Sequence, residues 1–276
     1  MVLGQRPTEG VLVRRCAVIG SPIAHSQSPV LHRAAYKWLG LDWVYERHEV
    51  KADEVTPFVA RLGDEWRGLS VTMPCKKAIL SLGTPDETAA DLGVGNTVIF
   101  DGHPADHRTT RIYNTDVSGI GVVLCEQDPG AVYLVYGNGA TARSVVYALS
   151  KLGVARVQVR ARNMDKTNPL IQDGARWGIE VVPFGKRPDI LISTVPAQAA
   201  AEWGTAGAGV VFDVLYDPWP TPLMVQAEQA GVAMLTGLDM LAAQAVGQVE
   251  LMTGRTIDFS ILKQAADEAM AAASNM

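Results

Sequence analysis

Gly137-Asn138-Gly139-Ala140-Thr141-Ala142 is the stretch that decides the fold predicted for this chain. An apolar run at residues 131–136 precedes it and is typical of a buried strand. The run at residues 142–152 has its apolar residues at helical spacing and predicts a helix. A strand, a tight glycine turn and a helix N-terminus form the arrangement in which parallel α/β sheets hold a dinucleotide pyrophosphate. Glycines also occur in plain strand-to-helix turns, so the stretch alone leaves that alternative open.

Composition limits the classes of protein to consider. The chain has 276 residues, 48% of them apolar, which is enough for two modest domains with packed cores. Its net charge of −5 argues against a general affinity for nucleic acid or membrane surfaces. No apolar run approaches the roughly 20 residues of a membrane span, and residues 1–10 are expected to be a loose tail rather than a secretory signal. Three cysteines without metal-ligand spacing favour a reducing, cytoplasmic location.

Two serines follow the first predicted strand, at residues 14–20. Ser26 and Ser28 lie two residues apart in a loop that Pro22 and Pro29 keep irregular. Because α/β folds place ligands at the carboxyl ends of strands, two hydroxyls there suit a carboxylate or a diol. The alternative is that Ser28 caps the helix predicted at residues 30–39 and Ser26 is an ordinary loop residue.

A lysine and an aspartate mark two further strand ends. Lys76 follows the strand predicted at residues 66–73, beside an apolar turn where a lysine can donate or accept a proton. A solvated surface lysine is the alternative. Asp116 precedes the helix predicted at residues 117–125, where an aspartate usually caps the helix or interacts with its dipole. Asp116 gains catalytic meaning only if Lys76 lies near it.

The second strand of the βαβ unit, at residues 156–163, bears on the choice of cofactor. NAD-binding proteins tend to place an acidic residue at the end of this strand for the ribose hydroxyl. This chain has Arg160 and Arg162, with no acidic residue before Asp165. A guanidinium suits a 2′-phosphate, so the sequence predicts NADP rather than NAD. A pair of solvated surface arginines is the alternative.

The remaining periodic segments complete two α/β regions. In the first half, strands are predicted at 43–50 and 97–100 and helices at 55–62 and 86–92, with a polar turn at 101–108. In the second half, strands are predicted at 179–183, 189–196, 210–216 and 232–236, with a helix at 223–230. The helices predicted at 237–253 and 261–272 have no place in the nucleotide sheet. We expect these two helices to pack back on the first domain.

Several of these stretches together resemble the shikimate dehydrogenase family. The resemblance runs from about residue 15 to the end and is carried by residues 20–32, 71–76, 93–97, 114–116, 137–142, 213–223 and 237–245. The serine, lysine and Asn-Thr-Asp stretches are specific to that family, whereas the glycine turn is not. The resemblance implies an α/β fold with an N-terminal substrate domain and a Rossmann-type doubly wound nucleotide domain. The expected boundaries are 1–115 with 238–276 for the substrate-binding catalytic domain and 116–237 for the NADP-binding domain.

The resemblance also implies an activity. It is the reversible, NADPH-dependent reduction of 3-dehydroshikimate to shikimate in chorismate and aromatic amino-acid biosynthesis, with a small-molecule substrate and NADP as cofactor. No metal ligand set is present in the sequence, and hydride transfer needs none. A quinate or aminoshikimate dehydrogenase using NAD and a non-catalytic nucleotide-binding paralogue are the alternatives. A monomer and a homodimer both stay open.

Carried over position by position, the resemblance assigns the candidate site residues. Lys76 is the general acid/base, and Asp116 pairs with it and binds a substrate hydroxyl. Ser26 and Ser28 hold the carboxylate. The other implied contacts are Thr72, Asn96, Tyr216 and Gln244 for the substrate, Gly137, Asn138, Gly139, Ala140 and Thr141 for the pyrophosphate, Arg162 for the 2′-phosphate, and Val214 and Gly237 for the nicotinamide.

The chain departs from the family pattern at a few of these places. Ser70 stands where the family tends to have asparagine, so a substrate contact there is lost or replaced. Ala161 and Asn163 flank Arg162 where the family favours asparagine and threonine, which weakens the argument for NADP over NAD.

Overall fold

Two six-stranded sheets organise the described part of the chain. The structure is a computed structural model that describes residues 13–102 and 109–274. The tail expected at residues 1–10 and most of the turn expected at 101–108 lie outside these residues. One sheet is built from residues 15–113 and the other from residues 133–236.

The first sheet has strand order β2-β1-β3-β5-β6-β4. Its strands are β1 (Arg15–Gly20), β2 (Val44–Glu49), β3 (Trp66–Val71), β4 (Thr84–Pro85), β5 (Thr97–Asp101) and β6 (Thr109–Tyr113). The helices in this part are α1 (Ser28–Leu39), α2 (Val55–Val59) and α3 (Glu87–Leu92). Strands β1, β2 and β3 are parallel, whereas β5 runs antiparallel to both β3 and β6. The ends of β1, β3 and β6 and the start of β5 therefore meet at one edge of the sheet.

Helix α1 begins earlier than predicted, and Ser28 does not cap it. Gln27 is the N-cap residue and has helical dihedral angles, so Ser28 is already the first residue of the helix. The Ser28 hydroxyl is 3.3 Å from the Ser26 hydroxyl, whereas a capping side chain would bond a backbone N–H of the first turn. The alternative of a capping serine is therefore wrong, and the Ser26 hydroxyl in the loop faces the Ser28 hydroxyl at the start of the helix.

The second sheet is parallel throughout, in the order β12-β11-β10-β7-β8-β9. Its strands are β7 (Tyr133–Tyr136), β8 (Arg156–Arg160), β9 (Glu180–Pro183), β10 (Ile190–Ser193), β11 (Val210–Asp213) and β12 (Ala233–Thr236). The helices of this region are α4 (Thr115–Leu124), α5 (Ala140–Lys151), α6 (Asn168–Arg176), α7 (Ala197–Trp203) and α8 (Pro222–Gln229). The order reverses between β7 and β10, which is the doubly wound pattern of dinucleotide-binding sheets. The Rossmann-type prediction is confirmed.

The last two helices are α9 (Gly237–Thr253) and α10 (Phe259–Ser274). The apolar face of α9 shares a core with strand β1 and helix α1, and Leu262 and Ala266 of α10 join that core. The prediction that these helices pack back on the first domain is confirmed. Helix α4 packs against both α9 and α5, so α4 and α9 lie between the two sheets. Within the described ranges, no helix combines the length and apolar character needed to cross a membrane.

Candidate active site

The edge where β1, β3 and β6 end carries most of the predicted polar residues. The loop with Ser26 and Ser28 follows β1, Thr72 and Lys76 follow β3, and Asp116 follows β6. Asn96 immediately precedes β5 and reaches the same edge because β5 is antiparallel to β3. Its backbone N–H donates to Tyr113 (2.9 Å), and its carbonyl accepts from Val71 (2.7 Å). Four separate stretches of sequence therefore meet at one place.

Lys76 and Asp116 form an ion pair at this edge. The Lys76 ammonium Nζ lies 2.5 Å from Asp116 Oδ2, and the two side chains are 27% and 14% exposed. Asn114, rather than Asp116, caps helix α4 by accepting the Asp116 backbone N–H at 3.1 Å. The Asp116 carboxylate is therefore free of capping and available to Lys76. The two side chains are thus in contact, which is the condition that the sequence sets for a catalytic role of Asp116.

Asn96 connects this pair to helix α9. Its Nδ2 donates to Asp116 Oδ1 at 3.0 Å and lies 3.2 Å from Gln244 Oε1. Its Oδ1 accepts the Thr115 backbone N–H at 2.7 Å, which fixes the orientation of the amide group. Gln244 reaches the cluster because α9 passes close to α4: a Cβ added at Gly119 would lie 2.9 Å from the Gln244 backbone nitrogen. Neutral amides and hydroxyls thus surround the ion pair, as a polyhydroxylated ligand requires.

The serine loop lies beside this cluster and is held by a residue that sequence reasoning missed. The Ser26 and Ser28 hydroxyls are within hydrogen-bond distance of each other. Arg47, on β2, donates from Nε (3.1 Å) and Nη2 (2.7 Å) to the Ser26 carbonyl. The bidentate contact fixes the loop and brings a positive charge to the Ser26 backbone. An anionic group bound there would be favoured by that charge.

Tyr216 approaches the ion pair from the second sheet. It follows β11 and packs against the core that α1 and α9 share. Burial, together with the negative charges of Asp217 and Asp116, raises the pKa of Tyr216, so its hydroxyl stays protonated and can donate. The loop that carries Tyr216 is closed by Asp213, which accepts a hydrogen bond from the Thr221 hydroxyl at 2.7 Å.

Thr72 lies next to Gly20 at the edge where β1 and β3 end. A Cβ added at Gly20 would collide with the Thr72 methyl group.

The glycine stretch forms an open cradle at the end of β7. Gly137 has φ of 111°, and a Cβ there would lie 2.5 Å from the Thr194 hydroxyl, so only glycine fits. Gly139 is the N-cap of α5 and has no side-chain cap, and a Cβ there would meet nothing within 4 Å. Within the described part of the chain, no side chain caps the first N–H groups of α5, and there is open space beside Gly139. This geometry fits a pyrophosphate on a helix N-terminus.

The two arginines near β8 are placed differently. The Arg160 guanidinium stacks on Trp203, 4.8 Å from the ring centroid, and also lies over Tyr136. Arg162 lies two residues beyond the end of β8 and is exposed, and its guanidinium has no hydrogen bond or ion pair within the described residues. Arg162 is therefore the arginine available to a 2′-phosphate.

The neighbours that replace the usual family residues around Arg162 have other contacts. The side chain of Asn138, in the glycine stretch, donates to the Asn163 carbonyl at 3.2 Å. The Asn163 side chain accepts the Asp165 N–H and starts the short turn at Met164–Thr167. The loop that carries Arg162 is therefore tied to the cradle. On the far side of the cradle, Gly237 packs directly on the Val214 carbonyl, so these two residues lie together at the ends of β11 and β12.

Sequence reasoning assigned no role to three other residues of the site. Thr115 bonds Asn96, Arg47 holds Ser26, and Gln248 bonds the backbone of Asn96. For Gln248 a signal existed: it follows Gln244 by four residues, which places both on one face of a helix. Arg47 gives no local signal, because the contact depends on the pairing of β1 with β2.

Comparisons with known families agree with this geometry. The family model described as the shikimate dehydrogenase substrate binding domain matches residues 18–98. The model described as the shikimate 5′-dehydrogenase C-terminal domain matches residues 237–266. The first match contains the serine loop, Lys76 and Asn96, and the second contains Gln244 and Gln248.

Relatives match over nearly their whole length. The NADP⁺ shikimate dehydrogenase of Methanocella arvoryzae is 33% identical, with 92% of this chain and 98% of the relative covered. The crystal structure of Mycobacterium tuberculosis shikimate dehydrogenase is 38% identical with a TM-score of 0.84, covering 93% of this chain and 99% of that one. A Thermus thermophilus shikimate 5-dehydrogenase in complex with NADP(H) and shikimate is 28% identical with a TM-score of 0.80, covering 93% and 100%.

Proposed function

The chain belongs to the shikimate dehydrogenase family, and on that premise we propose that it catalyses the reversible, NADPH-dependent reduction of 3-dehydroshikimate to shikimate. This is an oxidoreductase step of chorismate and aromatic amino-acid biosynthesis. The observation that carries the proposal is the Lys76–Asp116 ion pair inside a ring of neutral hydrogen-bonding groups. Neither a quinate dehydrogenase using NAD nor a non-catalytic paralogue is favoured, since relatives along the whole chain are NADP⁺ shikimate dehydrogenases.

Lys76 is proposed to act at the reacting oxygen of the substrate. As the ketone is reduced, its oxygen gains negative charge and must take a proton. The Lys76 ammonium stabilises that charge and donates the proton. Asp116 directs the ammonium through Oδ2, while Asn96 holds its other oxygen. Ser26 and Ser28 bind the carboxylate, and Thr72, Asn96, Tyr216 and Gln244 bind the other polar groups of the ring.

The glycine cradle is proposed to hold NADP, since its open helix N-terminus and the unpaired guanidinium fit the phosphates. When bound, NADPH supplies the hydride that reduces the ketone carbon. The pyrophosphate would lie on Gly137, Asn138, Gly139, Ala140 and Thr141, with Arg162 at the 2′-phosphate. Val214 and Gly237 close the nicotinamide end of the cradle.

Three broader assignments complete the proposal. Residues 1–115 with 238–276 would form the substrate-binding catalytic domain, and residues 116–237 the NADP-binding domain. The packing of α9 and α10 on α1 supports this division, because it returns the end of the chain to the first sheet. A cytoplasmic location is proposed from the three free cysteines. Both a monomer and a homodimer are compatible with the proposed site.

The test is the initial rate of shikimate oxidation by the purified protein. Rates are measured with NADP⁺ and NAD⁺, with shikimate and with quinate as substrates. We expect shikimate with NADP⁺ to give the highest kcat/KM. Equal or better turnover with NAD⁺ or with quinate would instead indicate an NAD-dependent enzyme or a quinate dehydrogenase. No turnover with any combination of substrate and cofactor would support a non-catalytic protein.

A substitution at Lys76 tests the mechanism. Replacing Lys76 with alanine removes the proton donor and the positive charge together. We expect kcat to fall roughly 10²-fold or more, with a smaller change in the KM for NADP⁺, since the cradle is untouched. Steady-state kinetics measure both constants. A kcat within a few-fold of the wild-type value would remove Lys76 from the chemical step.

A further inference from the structure

A buried amide lies behind the site, one turn along α9 from Gln244. Gln248 is 2% exposed, and both the oxygen and the nitrogen of its side-chain amide form hydrogen bonds. Its Oε1 accepts from the Ser70 hydroxyl at 2.7 Å and lies 3.2 Å from His32 Nε2. Its Nε2 lies 3.0 Å from the Thr97 hydroxyl and 3.2 Å from the Asn96 carbonyl. A fully satisfied amide of this kind fixes the groups around it.

The direction of these hydrogen bonds leads to the catalytic pair. Because Gln248 Nε2 donates to the Thr97 hydroxyl, the hydroxyl proton of Thr97 points to Asn96 Oδ1, 2.9 Å away. Together with the Thr115 backbone N–H, which also donates to Asn96 Oδ1 (2.7 Å), this bond holds the Asn96 amide with its Nδ2 toward Asp116 Oδ1 at 3.0 Å. Asp116 Oδ2 in turn holds the Lys76 ammonium. Gln248 thus orients the pair without touching substrate or cofactor.

Ser70 completes the arrangement from β3. It is buried, accepts from the Tyr45 hydroxyl at 2.6 Å and donates to Gln248 Oε1. Its short side chain has no hydrogen bond to Asn96 or Thr97. The larger amide that the family resemblance leads one to expect at position 70 would extend into the space that the Gln248 amide fills. The side chains at positions 70 and 248 therefore share one buried space and are joined by a hydrogen bond.

We propose that Gln248 is a positioning residue for the reaction, which helps to orient Asn96 and through it Asp116, and that Ser70 supports Gln248 in this role. The inference rests on the proposed dehydrogenase function. It also predicts that positions 70 and 248 are energetically coupled, which is a property of folding that does not depend on activity.

The first experiment replaces Gln248 with methionine, which keeps the volume and removes every hydrogen bond of the amide. The matched control is Gln158→Met, because Gln158 is a buried amide in β8 whose side chain, among the residues that the structure describes, bonds the backbone of residues 185 and 186 and no other. We expect both variants to lose thermal stability. Only Gln248→Met is expected to lower kcat for shikimate, by about tenfold or more, with the KM for NADP⁺ unchanged. Equal kcat values for the two variants would show that Gln248 is merely structural.

The second experiment tests the pairing with a double-mutant cycle. Ser70→Asn alone crowds Gln248 and is expected to lower both Tm and kcat, as is Gln248→Ala alone. The double variant Ser70→Asn, Gln248→Ala is expected to lose less Tm than the two single variants together, because alanine at position 248 makes room for the asparagine. A double variant whose loss of Tm equals the sum of the two single losses overturns the pairing. If the wild-type protein does not oxidise shikimate, the proposed function fails, and the cycle in Tm still decides whether the two positions are coupled.

Discussion

At the scale of single residues, Arg160 and Arg162 are both placed by the sequence where a 2′-phosphate could bind, but the structure gives them different surroundings. Arg160 stacks on aromatic rings and contributes to packing, whereas the Arg162 guanidinium is free in solvent. Replacing Arg162 with alanine should raise the KM for NADPH by about 10- to 100-fold, because a charge-assisted contact to a phosphate is worth about 1.5–3 kcal/mol. The KM for NADH should stay unchanged. Steady-state kinetics with both cofactors provide the measurement.

Arg160→Ala is the matched control for this prediction. It removes the cation–π contacts, worth about 0.5–2 kcal/mol, and is expected to lower Tm while treating the two cofactors alike. If Arg162→Ala weakened NADPH and NADH equally, the 2′-phosphate would have to be bound by another group.

Buried His32 gives the folded protein a pH dependence. Its ring stacks on Tyr45 with the centroids 4.1 Å apart, and burial lowers the pKa of His32 to about 4 from its ordinary 6.5. Between these values the unfolded chain binds a proton that the folded protein does not. The free energy of unfolding should therefore decrease as the pH falls from 6.5 to about 4, by up to about 3 kcal/mol from this residue. Above pH 6.5 the contribution is constant.

Urea denaturation at a series of pH values across this window measures the effect. The His32→Phe variant keeps an aromatic ring against Tyr45 but cannot take up a proton, so its stability should fall less steeply below pH 6.5. Parallel pH profiles for the variant and the wild type would show that His32 is not the residue responsible.

At the scale of elements, the contact between α4 and α9 depends on one glycine. A Cβ at Gly119 would lie 2.9 Å from the Cβ and the backbone nitrogen of Gln244. Gly119→Ala should therefore push α9 away, lower the stability by about 1–3 kcal/mol and reduce kcat, since Gln244 and Gln248 move with the helix. Gly121→Ala is the control: a Cβ there meets nothing within 4 Å, and alanine should stabilise the helix by about 0.5–1 kcal/mol.

Thermal denaturation and shikimate kinetics of the two variants decide the question. If the Gly119→Ala variant were as stable and as active as Gly121→Ala, α4 and α9 could move apart without loss of stability. That result would contradict the close contact between Gly119 and Gln244.

Most elements could be predicted from local pattern, but their exact starts and their neighbours could not. Helix α9 begins and ends where its apolar spacing predicts, since Thr236 caps it through a bond to the Asp239 N–H. Strand β4, two residues long, and helix α7, seven residues long, were not predicted, because such short segments carry little periodicity. Helix α6 was also missed, although its nine residues have a clear amphipathic pattern. Helix α1 starts at Ser28, the residue that was considered as its cap, and Gln27 is the N-cap instead.

The site shows the same division between local and non-local information. From the sequence alone, Lys76 could equally be a solvated surface lysine and Asp116 a helix cap. Only the family resemblance predicted that the two side chains form a pair. What brings them together is the antiparallel β5, which carries Asn96 to the edge where β3 and β6 end. Pairing of strands distant in the sequence leaves no local trace, so Arg47 and Thr115 were missed for the same reason.

At the scale of the whole molecule, the end of α3 joins the two sheets. Arg143 of α5 donates to the Leu92 carbonyl (2.9 Å), Arg176 of α6 to the Asp91 carbonyl (2.7 Å), and the Tyr147 hydroxyl to the Asp91 carboxylate (2.9 Å). Cations at the C-terminal end of a helix also interact favourably with its dipole. Since α3 belongs to the first half of the chain and α5 and α6 to the nucleotide half, these bonds restrain their relative movement.

Tyr147→Phe tests this restraint, because it removes the bond to Asp91 and, besides that, only a contact with Lys151 on the same helix. We expect a loss of about 0.5–1.5 kcal/mol and faster hydrogen–deuterium exchange in residues 87–92. The control is Tyr133→Phe, which removes a hydroxyl bonded to the Asp128 carbonyl within the same half. This control should lower the free energy of unfolding by a similar amount without changing hydrogen–deuterium exchange in α3. Identical exchange in the two variants would show that the Asp91 contact does not restrain α3.

Helix α9 has a consequence for how this chain can vary in length. Gly237, proposed to lie at the nicotinamide, and Gln244, proposed to bind the substrate, are seven residues apart on one helix, about 10 Å or two turns. A single inserted or deleted residue between them would shift this spacing by about 1.5 Å and rotate Gln244 and Gln248 around the helix axis by about 100°. On the proposed assignments, the surface loops of the chain can accept length changes, whereas the first two turns of α9 must keep their number of residues.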